Sequence, residues 1–168
     1  MGLWYECGDG LVKVSWARSD LQCDAYLICP GPSLKNVDAN VFNEAGVMTF
    51  GINTAYPWIR PDYWFGMDDP SCYSSRVWWE PFIKVTRMYL ENDVDLTISG
   101  GQHIRYCPNV YFPDLENVPP EEMFKRRNHD VSFVWDKNTF IFALHFMIWM
   151  GARRIRLVGC DFGGDQDY

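Results

Sequence analysis

The sequence predicts an α/β protein with a Rossmann-like, mainly parallel sheet flanked by helices. Three observations predict it. Apolar runs at 24–29, 47–52 and 63–67, and a later strand at 154–161, alternate with stretches of helical character. The runs are nearly continuous rather than alternating, as expected of strands covered on both faces. Each also stops abruptly, at Gly31-Pro32-Ser33, Asn53, Asp68 and Asp161. In a parallel sheet those four ends share one edge, which is where ligands sit.

The elements follow in order. Residues 1–22 are weakly patterned and read as an N-terminal extension or edge strands; residues 11–16 alternate, as an edge strand or hairpin arm does. The run 24–29 is a buried strand. Past Pro30-Gly31-Pro32-Ser33 a helix is expected from about 33 to 45, ended by Gly46. Residues 47–52 and 63–67 are the second and third strands, with Ile59-Arg60-Pro61-Asp62 as a loop between them. Residues 75–91 read as an aromatic-rich helix broken or delayed by Pro81, and 95–98 as a short strand. Residues 110–112 are expected to be extended, and Pro119-Pro120-Glu121-Glu122 to start a helix. The stretch 135–139 caps a helix over 139–150, which is apolar nearly all round and therefore expected between layers. Gly151 stops it, and 154–161 is a strand ending in an aspartate.

The totals fit this reading. A chain of 168 residues suits one domain, with its core over 24–168. Composition is 48% hydrophobic and 17% aromatic, enough for a packed core. Fifteen Lys and Arg against 22 Asp and Glu give a formal charge of −7, which argues against a nucleic-acid partner. Lys125-Arg126-Arg127 and Arg153-Arg154 are the local basic exceptions. Six cysteines include no Cys-x-x-Cys pair and no His at zinc-ligand spacing, so reduced thiols in a cytoplasmic protein are expected, with disulfides, which an even number permits, as the alternative. The N-terminus has no basic region followed by an apolar core, and Glu6 departs from the myristoylation pattern. The run 140–150 is too short to span a bilayer. A place at the membrane periphery and a homo-oligomeric state stay open.

The turn after the first buried strand carries the functional reading. Gly31 lets a backbone come close to a ligand, Pro32 suits a first helical position, and Ser33 offers a hydroxyl at a helix start. Such a start favours a phosphate, so the turn reads as a nucleotide cradle. The alternative is an ordinary strand-to-helix connection. Neither a Walker loop nor a Gly-x-Gly-x-x-Gly fingerprint is present.

The motifs GPSL, GINTAY, PDYWFGMDDP and NTFIFALHFMIWMGARRIRLVGCDF, in that order, span about 24–168. In them the chain resembles a superfamily that joins bacterial lipooligosaccharide sialyltransferases, flagellin motility accessory factors and archaeal 6-hydroxymethylpterin pyrophosphokinases. The resemblance implies that Gly31, Pro32 and Ser33 hold nucleotide phosphates or ribose, and that Asn53 bonds the nucleotide or donor sugar. It implies that Asn138 and Thr139 reach the donor and that Asp161 closes the last strand beside it. The resemblance also places Tyr168 near the position of a tyrosine that in the sialyltransferases helps bind the leaving phosphate. The chain departs from the sialyltransferases at Pro30, where they carry Asn. Their histidine base lies beyond the Gly-x-Asp strand, so the tail after Asp161 reads as a chain truncated at its C-terminus.

The resemblance implies transfer from a nucleotide sugar, with a CMP-sugar donor, no required cofactor, and a glycan or lipid-linked acceptor. One alternative is ATP- and Mg2+-dependent phosphoryl transfer of the pyrophosphokinase kind, with Asp68 and Asp161 on the metal. Another is a non-catalytic nucleotide- or glycan-binding domain. His103, in a loop after a short strand, and Asp68 are the candidate catalytic groups. His145 reads as a core or interface histidine, and His129 as a surface one. One aspartate of Asp68-Asp69 is expected to cap the next segment. The aromatics Tyr56, Trp58, Tyr63, Trp64, Phe65, Trp78 and Trp79 read mostly as core, with base or sugar stacking as the alternative.

Overall fold

A computed structural model of the protein describes residues 3–7, 10–14, 23–87, 96–98, 100–116, 133–134 and 137–161. Its centre is a mixed eight-stranded sheet. The strands are β1 (Leu3–Cys7), β2 (Gly10–Lys13), β3 (Asp24–Ile28), β4 (Val47–Ile52), β5 (Tyr63–Phe65), β6 (Ile83–Val85), β7 (Val110–Pro113) and β10 (Arg154–Val158). They lie in the order β10-β3-β4-β5-β6-β7-β1-β2. The six strands from β10 to β7 are parallel, and β1 adds to β7 antiparallel. A separate parallel pair joins β8 (Leu115–Glu116) to β9 (Phe133–Val134).

The central strands are mostly apolar on both faces because both faces are covered, with the buried Thr49 on β4 and Lys84 on β6 as polar exceptions. Ala25, Leu27, Phe50, Ile52, Tyr63, Phe65 and Val85 point to one side. There they meet Phe142, Ala143, Phe146 and Met147 of helix α2 (Thr139–Trp149) and Met150, which caps its end. Phe65 stands edge-on to Phe142 and Phe146, with ring centroids 5.5 and 5.2 Å away. On the other side Ile28 packs with Leu34, Phe42 and Ala55. Farther along the sheet, Trp64 packs with Tyr73, Val77 and Trp78, the last two from helix α1 (Ser75–Trp79).

Helix α2 matches the expectation in place and length. Asn138 accepts from the N–H groups of Phe140 and Ile141, and Gly151, at φ +84°, ends the helix. Its face is buried almost throughout, although Ile148 is 45% exposed. His145 is buried against the Phe133 ring, a core histidine.

Two expected helices are corrected. The segment after Ser33 forms two short 3-10 turns, Pro32–Asn36 and Ala39–Asn43. Asp38 accepts from the Asn40 N–H, so the asparagine- and aspartate-rich stretch satisfies its backbone locally and restarts rather than continues. Residues 75–91 do not form one helix. Helix α1 stops at Glu80, before Pro81, and Ile83–Val85 is a strand that the helical reading missed. The expected strand at 95–98 is reduced, among described residues, to a bridge between Thr97 and His103. The helix start at 119–122, His129 and Lys125-Arg126-Arg127 lie outside the described residues. The large helices expected to flank the sheet are thus represented, among described residues, by α2 and the short α1.

The end of the sheet opposite the four polar strand ends is held by charge. Asp24 at the start of β3 receives Arg153 at 3.0 Å, Arg154 at 3.4 Å and Arg156 at 3.0 Å. The hydrogen bond from Arg153 leads in holding its carboxyl below the usual range. This clamp sits at the Arg154–Asp24 register position and keeps β10 aligned on β3.

Lys84, on β6, is fully buried, and its Nζ donates to the carbonyls of Glu80 and Phe82. Burial pulls its pKa down to about 8. Below that value both folded and unfolded chains carry the proton, and the fold bears the full cost of the buried charge. Above it the folded chain releases the proton while the unfolded chain retains it, so stability rises with pH. The buried thiols Cys29 and Cys107, whose pKa values are raised, act oppositely above their ordinary value of 9.0. Urea unfolding is therefore expected to show stability rising from about pH 8 to 9, and Lys84→Met to flatten that rise. An unchanged slope in the variant would show that Lys84 is not the group responsible.

Candidate functional site

The chain runs from β3 outward through β4, β5, β6 and β7, then returns by α2 to place β10 on the other side of β3. The sheet's direction of growth therefore reverses between β3 and β10. At such a switch point the segments leaving adjacent strands diverge and open a crevice beyond the strands' carboxyl ends. A cleft of about 360 Å3 lies there. It is lined by the segments after β3 (Cys29, Pro30, Gly31) and β10 (Gly159, Cys160, Asp161), with Ile52, Thr54 and Phe140 completing the wall. This is at the low end of the ~300–1,000 Å3 typical of small-molecule sites.

The two segments are bonded together past the strands. Cys29 N–H donates to Val158 O and Gly31 N–H to Gly159 O, both at 2.8 Å. Ser33 N–H donates to Asp161 Oδ2 at 2.7 Å. Gly31 is at φ −67°, ordinary extended backbone, so its glycine is not required by the dihedral. It is required by space: a Cβ there would overlap the Gly159 carbonyl and the Asp161 carboxylate. Pro32 takes the first position of its turn, as expected.

Of the turn's N–H groups, Gly31, Ser33 and Leu34 are bonded within the protein. The close approach that the glycine permits is thus to the neighbouring strand end, whose Asp161 lines the cleft beside the turn. The Ser33 hydroxyl and N–H hold the Asp161 carboxyl below its ordinary range, so it is ionised near neutral pH. This arrangement suits a hydrogen-bond acceptor better than a proton carrier.

The strand ends at Asn53 and Asp68 form a second group, joined by a residue that the sequence reading missed. The Tyr73 hydroxyl lies 3.2 Å from Asn53 Oδ1 and 3.1 Å from Asp68 Oδ2, and accepts from the Asp68 N–H at 3.1 Å. Burial is the leading cause that raises the Tyr73 pKa, so the phenol stays neutral and shares its one proton between the two acceptors. Asn53 sits at φ +48°, and its carbonyl accepts from the Trp64 indole at 2.8 Å. Thr54, next in the chain, reaches the cleft wall.

The other candidates are placed as follows. The Asn138 side-chain oxygen caps α2, Thr139 is buried, and Phe140 lines the cleft. Asp69 accepts from Ser71 and caps the turn at Pro70–Cys72, as expected of one of the two aspartates. His103 accepts from the Arg105 N–H at 3.0 Å, capping Ile104–Tyr106, and is not a lining residue of the cleft. Tyr168 lies outside the described residues. No group of three His, Cys, Asp or Glu able to hold a metal occurs among the described residues. Of the aromatics, Tyr56, Tyr63, Trp64, Phe65 and Trp78 are core, while Trp58 and Trp79 are exposed.

The cleft also brings together two cysteines that no spacing rule pairs. The Cys29 and Cys160 sulfurs lie 2.8 Å apart and share a hydrogen bond. That bond favours a Cys160 thiolate, lowering its pKa and raising that of Cys29. Each residue follows a strand by one or two positions, and only the β3–β10 pairing makes them neighbours.

No helix among the described residues is long and apolar enough to cross a membrane. No protein-family model, no curated protein and no solved structure matches the chain.

Proposed function

We propose that the cleft binds a nucleotide in a Rossmann-like setting and that the protein is a nucleotide-sugar-dependent transferase of the sialyltransferase-like kind. The observation that carries the nucleotide reading is the coincidence of the cleft with the sheet's switch point between β3 and β10. The chemistry of the wall is consistent with a nucleoside. Pro30, Ile52 and Phe140 offer an apolar face for a base. The ionised Asp161 offers an acceptor for ribose hydroxyls, as an acidic residue at a strand end does in dinucleotide sites. The start of α2, at Phe140, borders the same space, and its dipole favours the anionic end of the ligand. The transferase half of the reading rests on the motif order GPSL, GINTAY, PDYWF and the late helix–strand unit.

Calorimetric titration with CMP, and with ATP, each with and without Mg2+, tests this. CMP is expected to bind without metal. Asp161→Asn, which keeps an acceptor for the Ser33 N–H but removes the charge, is expected to weaken binding about 10-fold or more. Binding of ATP only with Mg2+ would replace the proposal with phosphoryl transfer. Failure of both nucleotides to bind would overturn the nucleotide reading. Release of sugar from a CMP-sugar distinguishes a transferase from a binding domain.

A further inference from the structure

We propose that Cys29 and Cys160 are a reversible dithiol/disulfide site built into the wall of the cleft. The inference does not depend on the nucleotide reading. It rests on geometry: the two sulfurs lie 2.8 Å apart although the residues are 131 positions apart in the chain. Two backbone bonds around the pair, Cys29 N–H to Val158 O and Gly31 N–H to Gly159 O, fix the strand ends that carry them. Closing the sulfurs to a bond of about 2.05 Å requires less than an ångström of movement. Access is from the cleft: both cysteines line it, and Cys160 is partly exposed while Cys29 is buried behind it. The outer sulfur is thus the one a reagent meets, and the inner one is placed to resolve the adduct.

The oxidant is a small-molecule disulfide of the glutathione type. The Cys160 thiolate attacks one sulfur of that disulfide, breaking its S–S bond and expelling one thiolate, which takes the proton Cys160 gave up. Cys29, deprotonated in turn, attacks Cys160 Sγ. The mixed S–S bond breaks, the intramolecular bond forms, and the second small thiol leaves with the Cys29 proton. One external disulfide is reduced to two thiols, and one protein dithiol is oxidised. The product ties the ends of β3 and β10 across the switch point and removes two thiol donors from the cleft wall.

The test is to equilibrate the folded full chain with mixtures of reduced and oxidised glutathione and map the linkages by tandem mass spectrometry. The expected product is a single intramolecular link between Cys29 and Cys160, two hydrogen atoms lighter than the reduced chain and reversed by dithiothreitol. Iodoacetamide labelling of Cys160 should be lost in step with it. Oxidised protein should show a higher urea midpoint than reduced protein, because the bond closes a long loop. Cys29→Ser should stop at a glutathione adduct on Cys160. Separate glutathione adducts on both cysteines of the native chain, a link from either one to a different cysteine, or no oxidation at either would overturn the proposal. Mapping on the unsubstituted chain decides the matter even if Cys29→Ser fails to fold.

Discussion

Gly159→Ala is expected to cost about 3–5 kcal/mol of stability and to abolish the cleft. Gly159 stands at φ +65°, a left-handed conformation that costs an alanine about 1–2 kcal/mol. The larger part of the effect is steric. A Cβ at this position would overlap the Cys29 carbonyl oxygen and lie 3.1 Å from Leu34 Cβ. The oxygen cannot give way cheaply, because the Cys29 N–H is held by Val158 and the next bond, Gly31 to Gly159, closes the same ladder. Relief requires the ends of β3 and β10 to separate, and these carry most of the cleft wall.

Gly46→Ala is the control. Gly46 has φ +79°, and nothing lies within 4 Å of where an alanine methyl would stand, so only the backbone cost applies. Urea unfolding of the two variants side by side separates the contributions. If Gly159→Ala costs no more than Gly46→Ala, the tight junction between the two strand ends does not exist.

Trp64→Ala is expected to cost a similar ~3–5 kcal/mol, for a different reason. Trp64 is fully buried on β5, edge-on to Tyr73 at 4.9 Å and to Trp78 at 5.4 Å between ring centroids. Its indole lies over Gly66, where a side chain would overlap it. Removing it empties the centre of the second core. It also removes the donor to Asn53 O and loosens Tyr73, which carries the link between Asn53 and Asp68. Trp64→Phe keeps most of the ring volume and deletes the N–H, and is expected to lose about 1–1.5 kcal/mol. Thermal unfolding of both variants checks the pair. Equal losses would mean that the hydrogen bond to Asn53, rather than packing, dominates the position.

The central strands were legible because burial on both faces leaves a continuous apolar signature, and β3, β4 and β5 each carry one, while the edge strand β10 was read from the glycine before it and the aspartate after it. Their polar ends were legible too, since a strand that stops at Asn53 or Asp68 announces an edge. The helix over 139–149 was readable from Asn138 and Gly151, whose capping chemistry is local. Short-range competition hid the rest. Asp38 and Asn40 turn an expected helix into two 3-10 turns, and the proline at 81 ends α1 early enough to free Ile83–Val85 for the sheet.

By itself the sequence determined that β3, β4, β5 and β10 are strands and that glycine, serine, asparagine and aspartate follow their ends, while it took Ile83–Val85 for helix. Only the tertiary structure decided what these groups do to one another. The return of β10 to the far side of β3 sets the switch point, turns Asp161 onto the Ser33 N–H, and puts Cys160 against Cys29. None of these contacts has a periodicity or a motif, because each joins residues more than a hundred positions apart through strand order alone.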